Sequence, residues 1–163
     1  MMQSLRDLAV DLGRALTARG WFTATAESCT GGLIAGAITD IAGSSGWFDR
    51  GFVTYSNESK VDLLGVLPET LALFGAVSEA TVREMVAGAL DRSRANVVVA
   101  VTGVAGPSGG TPEKPVGLVW LAWGVRGGGI DAVSQRFEGD RAGIREATVE
   151  AALAGLLDRV RQR

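Results

Sequence analysis

Apolar residues along this chain recur with two different periods, and the switches between them lay out the elements. Leu5, Leu8, Ala9, Leu12 and Leu16 fall at helical spacing behind Ser4. Ser4 and Asp7 have the spacing of a capping box and Gly20 supplies a left-handed stop, so a first helix is predicted that buries one face. Residues 21–26 read as a short strand, Leu33 to Ile41 as a second helix closed by Gly43, and Trp47 to Tyr55 as a second strand. Ser56 caps a short helix through Leu64 with Gly65 behind it. Ser78 caps a longer helix through Leu90, with Val82, Met85, Val86 and Ala89 on one face.

The run from Asn96 to Val101 is apolar and rich in valine after its first residue, the pattern of a central parallel strand buried on both faces. A Gly- and Pro-rich loop, 103–115, follows, long enough that a structureless connection implies a functional role. Residues 117–125 and 130–137 read as two strands joined by a hairpin at Gly127-Gly128-Gly129, hence antiparallel neighbours. A last helix spans Arg141 to Arg163, with Ile144, Ala147, Ala151, Leu156 and Val160 in phase. The order αβαβααβββα predicts an α/β fold: a three-layer α/β/α sandwich around a mixed five-stranded sheet, order 2-1-3-4-5, strand 4 antiparallel. With neither an internal repeat nor a linker, residues 1–163 form one expected domain.

Composition narrows the chemistry. The chain contains no histidine, which removes Ser/His and Cys/His pairs and His-ligated metal sites, and its single cysteine excludes an internal disulfide. Sixteen Lys and Arg against eighteen Asp and Glu leave a net charge of −2, so no global positive field attracts nucleic acid. The amino terminus lacks the pattern of a signal peptide, and no apolar run spans a bilayer. A cytoplasmic location without a membrane partner is therefore expected.

Ligands of such sheets gather beyond the carboxyl ends of parallel strands, and three polar clusters stand there: 25–32, 55–60 and 102–107. Ser28 lies on the turn from strand into helix, beside glycines that permit close approach of backbone amides. It is a candidate nucleophile, or else a helix cap. Cys29 next to it reads better as a small buried side chain. Without histidine, the base must be a carboxylate, a neutral lysine or a tyrosinate. Lys60 occupies the first turn of the helix capped by Ser56, where the helix dipole and desolvation would both lower its pKa, or else it is a solvated surface lysine. Tyr55, the one tyrosine, is placed to relay a proton, although a tyrosine ending a strand is also ordinary packing. The glycines of 103–110 suggest an anion cradle, and Arg141 suggests a phosphate or carboxylate contact. Neither GxxxxGK[ST] nor GxGxxG occurs, which argues against an NTPase loop or a dinucleotide fingerprint.

The segments TAESCTGG, GWFDRGFVTYSNESK, AVSEATV, VTGVAGPSGGTPEKPVG and FEGDR, in that order from Thr25 to Arg141, resemble the CinA carboxyl-terminal family, the nicotinamide mononucleotide amidohydrolases. The resemblance implies hydrolysis of the carboxamide of nicotinamide mononucleotide to nicotinate mononucleotide and ammonia, in pyridine nucleotide recycling, without cofactor or metal. It implies Ser28 as nucleophile, with Lys60 and Tyr55 as partners, either one taking the Ser28 proton. Amides near Gly31 and Gly32 would hold the oxyanion. Thr102, Gly103, Gly106, Gly109 and Arg141 would contact substrate, the glycines and the arginine at its phosphate, with Glu27 and Thr30 among the substrate-binding residues. The amino-terminal pyrophosphatase domain that many members carry is not expected here, and a homodimer is. Two rival readings stand beside this one. In the first, a carboxylate such as Glu27 activates water with an Asp/Glu-bound metal; in the second, a nucleotide-sensing regulatory module of competence or DNA-damage responses binds without turnover.

Overall fold

A computed structural model describes residues 4–162. Residues 1–3, part of the amino terminus read for a signal peptide, and Arg163, the expected end of the last helix, lie outside them. Among the described residues five strands, six α-helices and one short 3-10 turn (Ser44–Gly46) form: α1 (Leu5–Arg19), β1 (Thr23–Glu27), α2 (Leu33–Thr39), β2 (Phe48–Val53), α3 (Asn57–Leu64), α4 (Pro68–Phe74), α5 (Glu79–Asp91), β3 (Val97–Gly103), β4 (Leu118–Val125), β5 (Ile130–Arg136) and α6 (Arg141–Arg161). The sheet order is β2-β1-β3-β4-β5. β1 runs parallel to β2 and β3, and β4 runs antiparallel to both β3 and β5, as the pattern predicts.

The caps explain where several helices begin. Ser4, Ser56, Ser78 and Asp140 accept hydrogen bonds from the amides of Asp7, Ser59, Thr81 and Gly143, each three residues on, satisfying donors that a helix start leaves open. Every residue of β1 and all but the last of β3 are buried, as the central strands of a three-layer sheet must be. Their side chains alternate between two cores. Val97, Val99 and Val101 join α1 and α6 through Leu12, Leu16, Leu153 and Leu156, whereas Val98 and Ala100 meet Val82, Met85 and Val86 of α5.

Register sets the site. Glu27 pairs with Val53 on one side and with Val101 on the other, so the residues that follow, Ser28, Thr54 and Thr102, leave the sheet together along one edge. Two backbone bonds carry the sheet past its formal end: the Ser28 amide donates to Val101 O at 3.1 Å and the Thr54 amide to Glu27 O at 2.8 Å. One helix departs from expectation: α4 arises in a stretch with no amphipathic stripe, Pro68 at its start and Gly75 at its end.

Candidate active site

The exits of the three parallel strands and the start of α6 enclose a cavity of about 260 Å³ lined by Ser28, Tyr55, Lys60, Thr102, Gly103 and Arg141, together with Cys29, Asn57, Ala76, Val77 and Ala105. Six residues singled out from the sequence are thus brought together from segments up to 113 positions apart (141 − 28).

Lys60 stands at the centre. Its side chain is 1% exposed, and Nζ donates to Ser28 Oγ at 3.0 Å, to Thr54 O at 2.8 Å and to Tyr55 O at 3.3 Å. Among the described residues no carboxylate forms an ion pair with it. Burial holds its pKa below the ordinary 10.5, against smaller opposing pulls from Cys29 and Glu58. Three acceptors match the three donors of an ammonium; once a proton is lost, two N–H groups can keep the two carbonyls and the lone pair can face the Ser28 hydroxyl. Ser28 itself is 8% exposed and fixed through its backbone, the amide donating to Val101 O and the carbonyl accepting from the Gly31 amide.

Cys29 is buried, and desolvation pushes its thiol up to about 11, so it stays protonated and unreactive at neutral pH. Tyr55 is 62% exposed. Its carbonyl serves Lys60, while its hydroxyl accepts from Arg141 Nη2 at 3.1 Å at the cavity rim. Arg141 also donates through Nη1 to Gly106 O at 2.8 Å. Thr102 lines the floor and donates to Ala76 O at 2.9 Å, which ties the 76–77 wall to β3.

Other expected contacts lie elsewhere. Glu27 does not line the cavity. Its carboxylate turns into α2 and accepts from Thr30 Oγ1 at 2.6 Å and from the amides of Gly32, Ile34 and Ala35 at 3.2, 2.9 and 3.0 Å. This is a helix-start anion cap, and it uses up the carboxylate proposed for water activation. Thr30 is spent in the same bond. The Gly31 and Gly32 amides, expected to hold an oxyanion, are committed to Ser28 O and Glu27 Oε1. These two glycines instead provide φ values of +57° and +106°, which the tight turn into α2 requires.

In the glycine-rich loop, packing accounts for two of the glycines expected at the phosphate. Gly103 is small because a Cβ there would come within 2.6 Å of Val119 Cγ2. Gly106 packs on Val116 and turns its carbonyl, not its amide, to Arg141. A carbonyl oxygen orients a guanidinium and repels a phosphate, so of the expected phosphate contacts only the arginine offers positive charge. Asn57, Ala76 and Val77 escaped sequence reasoning: the first lies unremarked within the YSNESK segment, and the other two sit in a loop with no local chemical signal. Among the described residues no group of three or more His, Cys, Asp or Glu could hold a metal ion, and no helix is long and apolar enough to cross a membrane.

The family model described as CinA C-terminal domain matches residues 5–160. A nicotinamide-nucleotide amidohydrolase PncC of Enterobacter agglomerans is 53% identical over 97% of this chain and 94% of its own length; a protein of the same name from Escherichia coli K12 is 54% identical over 93% and 92%. Among solved structures, the competence/damage inducible protein CihA of Agrobacterium tumefaciens superposes with a TM-score of 0.94 at 53% identity, covering 97% of both chains. A CinA superfamily protein of Klebsiella pneumoniae gives 0.94 at 42% identity, over 99% of this chain and all of its own.

Proposed function

The chain belongs to the CinA C-terminal domain family, and from that premise we propose that it hydrolyses the carboxamide of nicotinamide mononucleotide, releasing nicotinate mononucleotide and ammonia, with Ser28 as nucleophile and Lys60 as its base. The relatives named for this activity, more than half identical across nearly the whole chain, support the reaction. The single observation that carries the mechanism is the 3.0 Å contact between Lys60 Nζ and Ser28 Oγ in a buried pocket free of carboxylate partners.

Neutral Lys60 accepts the hydroxyl proton as Ser28 Oγ bonds to the carboxamide carbon, and the carbonyl π pair moves onto oxygen. Collapse of the tetrahedral intermediate expels the amine, which takes the proton from the Lys60 ammonium and leaves as ammonia. Water, deprotonated by Lys60, then attacks the acyl ester; collapse breaks the bond from the acyl carbon to Ser28 Oγ, the acid leaves, and the Lys60 ammonium returns its proton to Oγ. Throughout, the Thr54 and Tyr55 carbonyls hold the amine in place. Tyr55 OH and Arg141 meet the substrate at the rim, the arginine toward the phosphate. The base role therefore goes to Lys60 and a substrate contact to Tyr55. Recycling of pyridine nucleotides is the setting in which this product would be consumed, and the homodimer is part of the same proposal. Sedimentation at the mass of a single chain would reject the dimer.

The test is ammonia release from nicotinamide mononucleotide. Ser28→Ala should reduce turnover by at least about 10³-fold while the protein stays folded and binds the nucleotide. Turnover close to the parent's would rule out acyl transfer through Ser28. Tight nucleotide binding by the parent without any product would favour the sensing module instead.

A further inference from the structure

We propose that Arg145 is a positioning residue for the nucleophile: from the second turn of α6 its guanidinium clamps the backbone turn that carries Ser28 and so holds Oγ at Lys60. This role rests on the serine mechanism above. Nε donates to Cys29 O at 3.0 Å and Nη2 to Thr30 O at 3.2 Å, two successive carbonyls more than a hundred residues away in the chain. Bonds from one planar fork to neighbouring carbonyls fix the orientation of both peptide planes, which a single point charge does not do.

The turn is held on its other sides already. Glu27 grips Thr30 and the first amides of α2 from within, and Val101 O holds the Ser28 amide from the sheet. The Thr30 carbonyl also accepts from the Leu33 amide at 3.0 Å, so the freedom that Arg145 removes is chiefly rotation of the Cys29 carbonyl, in the peptide next to Ser28. Gly31 is part of the device, since a Cβ there would stand 3.3 Å from Nη2 and press on the fork.

Arg145 does not line the Ser28 cavity. It faces a separate groove of about 460 Å³ with Leu33, Ala37 and Val149, on the far side of the turn. It can therefore act on the reaction only through the backbone. Arg141, one helical turn earlier, sends its own guanidinium to the cavity rim, so the start of α6 supplies one arginine to each side of the nucleophile. A displacement of about 1 Å in a reacting group can cost on the order of 10²-fold in rate, and the Ser28–Lys60 contact has little slack for it.

The experiment uses the full chain with Arg145→Ala and Arg145→Lys, read by ammonia release and by the rate at which a fluorophosphonate labels Ser28. We expect kcat to fall about 10²-fold in Arg145→Ala with KM within about twofold, and labelling to slow in parallel. Arg145→Lys should recover less than about a tenth of the parent kcat. Added guanidinium at sub-denaturing concentration should restore part of the Arg145→Ala activity and none in Lys60→Met. If Arg145→Ala does not fold, Arg145→Gln, which keeps one donor, takes its place. Parent-like kcat, unchanged labelling, or a loss matched by thermal unfolding and unrescued by guanidinium would each overturn the positioning role. Turnover retained by Ser28→Ala would remove the serine mechanism itself, whereas a dead Ser28→Ala beside a normal Arg145→Ala would overturn the clamp alone.

Discussion

A lysine with almost no exposed surface and, among the described residues, no ion-paired carboxylate is expensive to keep charged, and that cost is what would let Lys60 serve as the proposed base. The sign of its effect on stability follows. Because burial lowers its pKa in the folded protein below 10.5, the unfolded chain binds more protons in the interval between the two values, so stability rises with pH across that interval. Below it the full cost is present. Lys60→Met removes the titration. Denaturant unfolding at pH 7.5 and 9.5 should therefore show the parent gaining stability relative to Lys60→Met at the higher pH, while the variant is inactive at both. Equal shifts in the two proteins would mean that Lys60 is not desolvated. In the same direction, kcat/KM of the parent should climb as Lys60 loses its proton, over a pH range below that of an ordinary lysine. A rate that falls across that range would assign the proton to an acid instead.

At the scale of elements, the turn between β1 and α2 is the part whose chemistry the sequence conceals. Glu27 looks like an available carboxylate beside a serine, yet it satisfies four donors at the start of α2. Glu27→Gln places an amide NH₂ against one of those N–H groups. It should destabilise the fold by about 1–3 kcal/mol, read as a lower unfolding midpoint, with the surviving folded fraction still active. A stable but dead Glu27→Gln would revive water activation by this carboxylate. Strand order, the serine caps and the buried run of β3 were legible because period, cap chemistry and valine content are local signals. The helix Pro68–Phe74 was not, since Leu73 and Phe74 are exposed and only Thr70 is fully buried, which leaves no stripe to detect. The lysine–serine pairing was legible only in part. Lys60 and Ser28 could each be picked out by type and by their place after a strand, but the commitment of the Gly31 and Gly32 amides and the reach of Arg145 depend on backbone directions that no residue type encodes.

Across the whole molecule, the charge balance and the proposed substrate pull in opposite directions. A chain of net charge −2 does not attract a nucleotide phosphate over a distance, so the affinity has to come from short-range cations, and of the cavity's two, Lys60 is turned inward to Ser28. Arg141 alone stands at the rim, held there by Gly106 O and Tyr55 OH, where its guanidinium is open to solvent and to screening by salt. Raising ionic strength from 50 to 500 mM, which contracts the Debye length from roughly 14 to 4 Å, should then raise KM for nicotinamide mononucleotide several-fold. It should leave KM for the uncharged-tail substrate, nicotinamide riboside, nearly unchanged. Arg141→Gln should erase most of the difference between the two substrates and flatten the salt response, with kcat affected less than KM. If the variant retains both the preference for the phosphorylated substrate and its sensitivity to salt, the phosphate is held by groups outside this rim, and the orientation of the substrate in the cavity must be the reverse of the one proposed.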